Sequence, residues 1–399
     1  MPQVASHARE IPASPIRKLV PYADAAVAAG KQVFRLNIGQ PDIRTPSAFM
    51  NAVKDCDLDV LAYTPSVGSV SLRESIVRYY ASVGPKIEID NVIVTTGASE
   101  ALNFLFNAIL EPNDEVVVME PFYANYLSFC LQNLGTIVPV TTRVEDNFAL
   151  PPIEEFESKI SAATKAIVVC NPSNPTGVTY SAETLQKLRE LVIQHDLFLI
   201  VDEVYREFVY CDAAPPSALE LEGLEQNVVV VDSTSKRFSA CGARIGCLVT
   251  RNEDIIKPVT AMAQARLSPP TFGQIGAAAV FDVGASYYDE IEKEYRSRRD
   301  LLKSSLDAMD GVVCPEINGA FYAMVKLPID DSEKFCRWML ESFEHDGNTV
   351  MMAPGSGFYA TEGLGRDEVR IAYVLNKEDL STAMECLAAG LKAYPGRTS

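Results

Sequence analysis

Between residues 90 and 250, short apolar segments alternate with segments that have helical periodicity. The most constraining segment is a run of four valines at residues 228–231, which predicts a strand buried on both faces. Further strands are predicted at residues 92–95, 116–119, 166–170, 197–201 and 247–250. Strands that alternate with helices form parallel sheets, so the sequence predicts an α/β fold with a mostly parallel sheet sandwiched by helices.

The last hundred residues have a different pattern, in which short strands flank helices near 331–345 and 377–393. This pattern predicts a smaller α+β domain formed by the N-terminal segment and the C-terminal third of the chain. The predicted division is an N-terminal arm at 1–15, a small domain at 16–46 and 291–399, and a large domain at 47–290. Pro2, Pro12 and Pro15 predict that the arm is extended and not helical.

The composition excludes several classes of partner. Lysine and arginine number 35 against 53 acidic residues, and the formal charge of −18 argues against nucleic acid and anionic membranes. Nine cysteines without a Cys-x-x-Cys motif indicate reduced thiols in a cytoplasmic protein, and three scattered histidines predict no metal site. We expect no signal peptide and no membrane span.

Polar residues follow several of the predicted strands. The carboxyl ends of parallel strands open toward one side of a sheet, so these residues should meet in one cleft. Lys236 follows the valine strand, and a desolvated amine near a cation such as Arg244 can act as a nucleophile toward carbonyl groups. Taken alone, however, Lys236 is better explained as a solvated residue at the end of a strand.

Four residues, Arg244 among them, suggest contacts with an anion and with a cationic ring. Ala98 and Ser99 open a predicted helix after Gly97, where backbone N–H groups can bind phosphate, although Ser99 alone is better explained as a helix cap. Arg244 could add a fixed charge to the same phosphate. Asp202 ends an apolar strand and would need a partner such as a protonated ring nitrogen, or it could cap a helix.

Two tyrosines and an asparagine complete the set. Tyr123 could stack on a flat ring or lie in the core. Tyr205 and Asn174 could form hydrogen bonds with a ring hydroxyl, although Asn174 alone is more often a turn residue before Pro175. Together these positions describe a ligand with a phosphate, a flat ring and an aldehyde, and no ordinary structural reason accounts for the whole set.

Seven stretches of the chain then match one family in its own order. They are residues 37–42 (Asn-Ile-Gly-Gln-Pro-Asp), 63–68 (Tyr-Thr-Pro-Ser-Val-Gly), 96–102 (Thr-Gly-Ala-Ser-Glu-Ala-Leu), 171–177 (Asn-Pro-Ser-Asn-Pro-Thr-Gly), 202–205 (Asp-Glu-Val-Tyr), 233–236 (Ser-Thr-Ser-Lys) with 242–246 (Gly-Ala-Arg-Ile-Gly), and 369–373 (Val-Arg-Ile-Ala-Tyr). The chain resembles the fold-type I enzymes that use pyridoxal 5′-phosphate, specifically the class I/II aminotransferases close to aspartate aminotransferase.

The resemblance implies catalytic and cofactor roles. Lys236 would form the Schiff base with the cofactor aldehyde and move the proton between Cα and C4′. Asp202 would keep the pyridine nitrogen protonated, Tyr205 and Asn174 would bond the 3′-oxygen of the ring, and Tyr123 would stack on it. The residues implied for the cofactor phosphate are Ala98, Ser99, Ser233 and Arg244.

The resemblance also implies how the substrate and a second subunit bind. Arg370 would hold the substrate α-carboxylate with help from Asn174 and Gly39, although without the resemblance we would interpret Arg370 as a surface residue. Tyr63 would reach the phosphate of the neighbouring subunit, which implies an obligate homodimer with shared sites. Tyr126 would border the substrate.

The substrate is less well determined. In one subgroup of the family, a lysine binds the distal carboxylate of the substrate. This chain has Ser99 at the position of that lysine. Arg266 could serve a dicarboxylate or be structural. Aspartate as donor with 2-oxoglutarate as acceptor is therefore the default prediction, with aromatic or alanine substrates or a C–S β-lyase as alternatives. Ser233 and Lys236 also fit the Ser-x-x-Lys pattern of acyl-enzymes, but the accompanying motifs are absent.

Overall fold

The computed structural model describes residues 2–211 and 213–398, which form twelve strands and fourteen α-helices. The strands are β1 (Gln32–Arg35), β2 (Val92–Thr95), β3 (Glu115–Glu120), β4 (Thr136–Thr141), β5 (Thr164–Cys170), β6 (Phe198–Asp202), β7 (Val228–Ser233), β8 (Gly246–Val249), β9 (Tyr322–Lys326), β10 (Asn348–Met351), β11 (Ala353–Pro354) and β12 (Glu368–Ala372).

The helices are α1 (Ser6–Glu10), α2 (Val20–Ala28), α3 (Ser47–Lys54), α4 (Val70–Val83), α5 (Ala98–Ile109), α6 (Asn125–Gln132), α7 (Ile153–Glu157), α8 (Ala182–His195), α9 (Thr234–Arg237), α10 (Glu253–Arg266), α11 (Thr271–Val280), α12 (Ala285–Asp307), α13 (Ser332–Glu341) and α14 (Lys377–Ala393). In the described residues, no helix combines the length and the apolar character needed to cross a membrane.

A seven-stranded sheet forms the centre of the molecule, with the strand order β2-β8-β7-β6-β5-β3-β4. The five strands from β7 to β4 are parallel, and β8 runs antiparallel to both of its neighbours. This architecture confirms the predicted α/β class with a mostly parallel sheet.

The valine run of β7 shows why the sheet is buried on both faces. Val229 and Val231 pack into one hydrophobic cluster together with Leu102 of α5. Val228 and Val230 point the opposite way, into a second cluster that includes Leu188 of α8. Successive side chains of a strand alternate between its faces, so each pair of valines is covered by different helices.

The sequence analysis did not predict two elements of the large sheet region, and each of them contains a proline. Strand β4 contains Pro139 and pairs only with β3, so it is an edge strand, where proline is tolerated. Helix α10 contains Pro258 near its middle and begins after Asn252, whose side chain accepts hydrogen bonds from two backbone N–H groups. In both cases a proline weakened the sequence pattern of an element that tertiary packing nevertheless stabilises.

The N-terminal and C-terminal parts of the chain pair with each other. Strand β1 pairs in parallel with β10, and β9, β12 and β11 form a separate antiparallel sheet. This strand membership supports the predicted small domain, although its boundaries stay a prediction. Met1 and Ser399, the outer limits of the predicted arm and small domain, lie outside the described residues.

The prediction that the arm lacks a helix is wrong. Residues Ser6–Glu10 form the short helix α1. Pro2 and Pro12 lie outside this helix, so neither removes a hydrogen bond from it, and their presence nearby does not prevent one helical turn.

Candidate active site

A cavity of about 560 Å³ lies at the carboxyl ends of the central parallel strands. Ten residues that the sequence analysis singled out line it together with Gly39: Ala98, Ser99, Tyr123, Asn174, Asp202, Tyr205, Ser233, Lys236, Arg244 and Arg370. Open α/β sheets bind ligands at this edge because the loops that follow the strands diverge there. Tyr63 and Tyr126 of the predicted site do not line it, and Tyr63 is 77% exposed.

Lys236 lies in the short helix α9, which directly follows the valine strand. Ser233 caps this helix by accepting a hydrogen bond from the backbone N–H of Ser235 at 3.1 Å. The Nζ atom of Lys236 donates to the carbonyl oxygen of Gly39 at 2.6 Å and lies 3.8 Å from Sγ of Cys241. The amine is therefore half-buried and held inside the cavity, contrary to the solvated alternative.

Asp202 ends the neighbouring strand β6 and is only 5% exposed. Its Oδ2 accepts a hydrogen bond from the Tyr126 hydroxyl at 2.8 Å, and its Oδ1 accepts one from the backbone N–H of Val204 at 3.2 Å. Burial raises the pKa of Asp202 to about 6, and these two hydrogen bonds act against that rise. Within the described chain this carboxylate has no ion-pair partner, so a cationic group of a ligand would fit here.

Tyr126 therefore has a different place from the one expected. The resemblance implied that Tyr126 borders the substrate, but the structure puts its hydroxyl on Asp202, fully buried beneath the cavity. Its ring packs edge-on against Tyr123 with centroids 5.4 Å apart. Tyr123 lines the cavity, and Asn125 donates to its hydroxyl at 2.8 Å.

A chain of hydrogen bonds crosses the cavity. It connects loops that follow β5 and β6 of the central sheet with β9 and β12 of the antiparallel sheet. Nδ2 of Asn174 lies 3.4 Å from the Tyr205 hydroxyl, which lies 3.0 Å from the Tyr322 hydroxyl. Nη1 of Arg370 donates to Oδ1 of Asn174 at 3.0 Å. The approach is so close that a Cβ on Gly39 would lie 1.7 Å from the Tyr322 hydroxyl, so only glycine fits there.

Arg370 is buried, with 1% of its surface exposed. It lies on β12, and its guanidinium carbon is 4.5 Å from the ring centre of Tyr322 and 4.9 Å from that of Phe358. Burial lowers the pKa of this guanidinium, and its Nε has no hydrogen-bond partner in the described chain. A buried arginine without a carboxylate partner is suited to hold an anionic ligand, so the surface alternative for Arg370 is wrong.

A second region suited to an anion lies at the start of helix α5. Gly97 precedes the helix with φ of +75°, and a Cβ there would lie 2.5 Å from Nη2 of Arg244. A Cβ on Gly246 would lie 2.5 Å from the backbone nitrogen of Ala98. The two glycines therefore let Arg244 and the first N–H groups of a twelve-residue helix face the same space, which is the arrangement that binds phosphate.

Arg266 is committed to contacts within its own protomer. Nη1 donates to Glu100 at 2.8 Å, and Nη2 donates to the Ser66 carbonyl at 2.8 Å. Arg266 does not line the cavity of its own chain. These contacts favour the structural alternative over a substrate-binding role.

Sequence reasoning missed several residues of the site. Tyr322 lies at the start of β9, and the run Gly319-Ala-Phe-Tyr322 was the available signal, because a glycine before aromatic residues marks a close backbone approach. Ser14, Ile16 and Arg17 also line the cavity, and no local pattern announces that the N-terminal segment returns across the sheet.

Comparison with known proteins agrees with this geometry. The model of the family described as aminotransferase class I and II matches residues 31–387. Aspartate aminotransferase from Pyrococcus horikoshii is 32% identical over 369 residues, which cover 91% of each chain. Aspartate aminotransferase from Thermotoga maritima is 33% identical over 389 residues, which cover 96% of this chain and 97% of the relative.

Solved structures give the same result. The crystal structure of aspartate aminotransferase from Thermotoga maritima has a TM-score of 0.89 at 31% identity, and covers 98% of this chain and 100% of its own. An alanine aminotransferase from Pyrococcus furiosus also has a TM-score of 0.89, at 28% identity and the same coverage. The overall fold therefore does not distinguish between these two substrates.

Proposed function

The chain belongs to the class I and II aminotransferases, and we propose that it transfers the amino group of L-aspartate to 2-oxoglutarate. It is an aminotransferase that uses pyridoxal 5′-phosphate, as members of this family do. The proposal of aspartate is supported by several relatives at about 32% identity that carry the name aspartate aminotransferase. The single observation that carries the catalytic assignment is the convergence of Lys236, Asp202 and Arg370 on one cavity.

The residues of the cavity fit the cofactor. Pyridoxal phosphate supplies an aldehyde for attachment to amino groups and a protonated ring that accepts electrons from a broken Cα–H bond. Asp202, buried and without an ion-pair partner, would hold the proton on the ring nitrogen. Tyr205 and Asn174 would donate to the ring hydroxyl oxygen, and Tyr123 would cover a ring face.

The phosphate group would be held at the start of α5. Ala98 and Ser99 offer backbone N–H groups at the positive end of the helix dipole, Ser233 offers a hydroxyl, and Arg244 adds a positive charge. The close approach at Gly97 keeps Arg244 beside these donors. This set would fix the phosphate at one end of the cavity.

Lys236 would carry the covalent link and the proton transfer. Its Nζ donates to the Gly39 carbonyl at 2.6 Å, which orients the amine toward the cavity. Lys236 would hold the cofactor aldehyde, and with its amine free it would be the group that moves the proton between Cα and C4′. Asp202 and Tyr205 would act through the ring, by keeping the nitrogen protonated and by bonding the ring oxygen.

Arg370 would bind the substrate α-carboxylate. It already donates to Asn174 and Asn37, so its guanidinium plane is fixed before substrate arrives. The absence of a side chain at Gly39 leaves room for the Tyr322 hydroxyl. Gly39 and Asn174, which also line the cavity, would help Arg370 to hold the carboxylate. A planar, preorganised guanidinium can pair with a carboxylate through two parallel hydrogen bonds.

We propose a cytoplasmic homodimer with shared sites. Tyr63 is 77% exposed, and Leu58, Val60 and Leu61 beside it are also exposed. The Gln274 side chain donates to the Thr64 hydroxyl at 2.8 Å, which ties this segment to α11. An exposed apolar segment of this kind commonly forms a subunit interface, and Tyr63 would reach the cofactor phosphate of the partner subunit.

The test is a panel of amino donors mixed one at a time with the cofactor-loaded enzyme, without an oxo acid. Conversion of the bound cofactor to its amine form, followed by absorbance, identifies transamination and ranks the donors. We expect aspartate and glutamate to react faster than alanine and phenylalanine. Faster reaction with the neutral amino acids would contradict the proposed substrate. Release of a thiol together with ammonia and pyruvate from an S-substituted cysteine in the panel would instead indicate a C–S β-lyase.

A further inference from the structure

A fourth cation lines the cavity besides Lys236, Arg244 and Arg370. Arg17 lies in the turn that precedes α2, where its backbone N–H donates to the Ser14 carbonyl at 3.1 Å. Across the described residues, the Arg17 side chain makes no ion pair within 4 Å and no hydrogen bond. The next residue, Lys18, points elsewhere and pairs with Glu333. Arg17 is an exposed residue that also lines the cavity, so it brings a hydrated, unpaired charge to the cavity wall.

Asn37 couples the Arg17 turn to Arg370. The Asn37 side chain donates to the carbonyl of Ile16 at 2.7 Å, and the Asn37 carbonyl accepts from Nη2 of Arg370. Both arginines also act on Tyr123. Burial raises the pKa of Tyr123 to about 12, while the charges of Arg370 and Arg17 act to lower it. Arg17, Tyr123 and Arg370 therefore line the same cavity.

The other charges of the cavity have assigned partners. Under the proposed function, Arg370 pairs with the α-carboxylate, Arg244 with the phosphate, and Asp202 with the ring nitrogen. Lys236 forms the covalent link to the cofactor aldehyde. Arg17 remains without a partner, and an arginine fork is suited to a carboxylate.

Two other positions could in principle supply a cation for a distal carboxylate, but neither does so within this chain. Position 99 is a serine, whose hydroxyl carries no charge. Arg266 is already paired with Glu100 at 2.8 Å and does not line the cavity. The choice within one protomer therefore falls on Arg17.

We propose that Arg17 binds the distal carboxylate of four- and five-carbon dicarboxylic amino acids and oxo acids. This assignment rests on the proposed function and names the residue that selects its substrate class. Arg17 is a specificity residue in this account, and the chemistry at Cα does not depend on it. Neutral amino acids would bind through Arg370 alone.

The test compares Arg17→Gln with a matched neighbour, Lys18→Gln, in the cofactor-loaded enzyme. We expect Arg17→Gln to lower kcat/KM for aspartate and glutamate by about 10- to 100-fold, since a charge-assisted hydrogen bond is lost. The values for alanine and phenylalanine should stay within about twofold, because those substrates do not contact the lost charge. Lys18→Gln should leave both classes unchanged, and Arg17→Lys should retain part of the selectivity.

A binding measurement gives a readout that does not depend on turnover. Titration with succinate and with butyrate, followed through the absorbance of the bound cofactor, should show weaker succinate binding in Arg17→Gln and unchanged butyrate binding. Equal loss for all substrates, or no loss for aspartate and succinate, would overturn the assignment. If the unmodified enzyme itself rejects aspartate and glutamate, the proposed substrate fails and the role of Arg17 fails with it. If the enzyme uses them and Arg17→Gln does so equally well, the assignment of Arg17 alone fails.

Discussion

The Tyr126 hydroxyl donates a hydrogen bond of 2.8 Å to Oδ2 of Asp202, at the end of a strand that is buried on both faces. This contact leaves Asp202 with one neutral hydrogen-bond partner at that oxygen and with no ion pair in the described chain. A carboxylate that is kept dry in this way is stabilised best by a cation that arrives with a ligand. The proposed function assigns that cation to the ring of pyridoxal phosphate.

The first prediction concerns Asp202→Asn. This change keeps the shape of the side chain but removes the negative charge that would hold the ring proton, so kcat should fall by at least about 100-fold, as when other preorganised charges are removed. Steady-state kinetics with the best amino donor measures the effect. Asp196→Asn, at an exposed helix end, should change kcat by less than about twofold.

The second prediction concerns stability without the cofactor. Burial raises the pKa of Asp202 to about 6 from an ordinary value near 3.8. The contribution of this group is therefore fully present below pH 4 and is lost as the pH rises through 6. Asp202→Asn cannot ionise, so it should gain up to about 3 kcal/mol relative to the unmodified protein between pH 4 and pH 7.

Urea unfolding of both cofactor-free proteins at pH 4.5 and pH 7 measures this difference. Comparing the two proteins at each pH cancels the other groups that titrate in the same range. A constant difference between the two pH values would show that Asp202 is not buried as described.

The third prediction concerns Arg370→Gln. Every amino acid substrate has an α-carboxylate, so kcat/KM should fall by about 100-fold for aspartate and for alanine alike, as expected when a buried charged partner is lost. Arg366→Gln, at a side chain that is 61% exposed, is the control. If kcat/KM fell only for dicarboxylic substrates, Arg370 would bind the distal carboxylate and not the α-carboxylate.

The fourth prediction concerns the phosphate site. Gly97→Ala places a Cβ 2.5 Å from Nη2 of Arg244 at a backbone with φ of +75°, so Arg244 must move away. We expect pyridoxal phosphate to bind at least about tenfold more weakly, because one charge-assisted contact is lost. Equilibrium dialysis measures the dissociation constant. Gly242→Ala is a matched control, because nothing lies within 4 Å of its added Cβ.

The sequence predicted those parts of the site that depend on local pattern. Lys236 and Asp202 each follow a short apolar run, and the carboxyl ends of parallel strands meet by geometry alone. Arg370 and Tyr322 lie on strands of a different sheet, and only tertiary packing brings them to the cavity. Residue spacing therefore could not predict that these two residues lie in the site. The role of Arg370 was predicted only from the family resemblance.

Other features depended on contacts that no local pattern encodes. The bond from Tyr126 to Asp202 joins residues 76 positions apart, on α6 and β6. The turn containing Arg17 lies far in sequence from the strands of the central sheet, and a hydrogen bond from the Asn37 side chain to the Ile16 carbonyl helps to hold it at the cavity. Pro139 concealed an edge strand, since the rule against proline holds for central strands and not for edges.

The central claim is that Lys236 carries the cofactor. Treating the cofactor-loaded protein with borohydride should fix pyridoxal phosphate permanently to the peptide that contains Lys236, as mass spectrometry would show. Lys236→Ala should bind cofactor without this attachment and should lose transamination. If the reduced cofactor were found on another lysine, or on none, the account of the site would be contradicted.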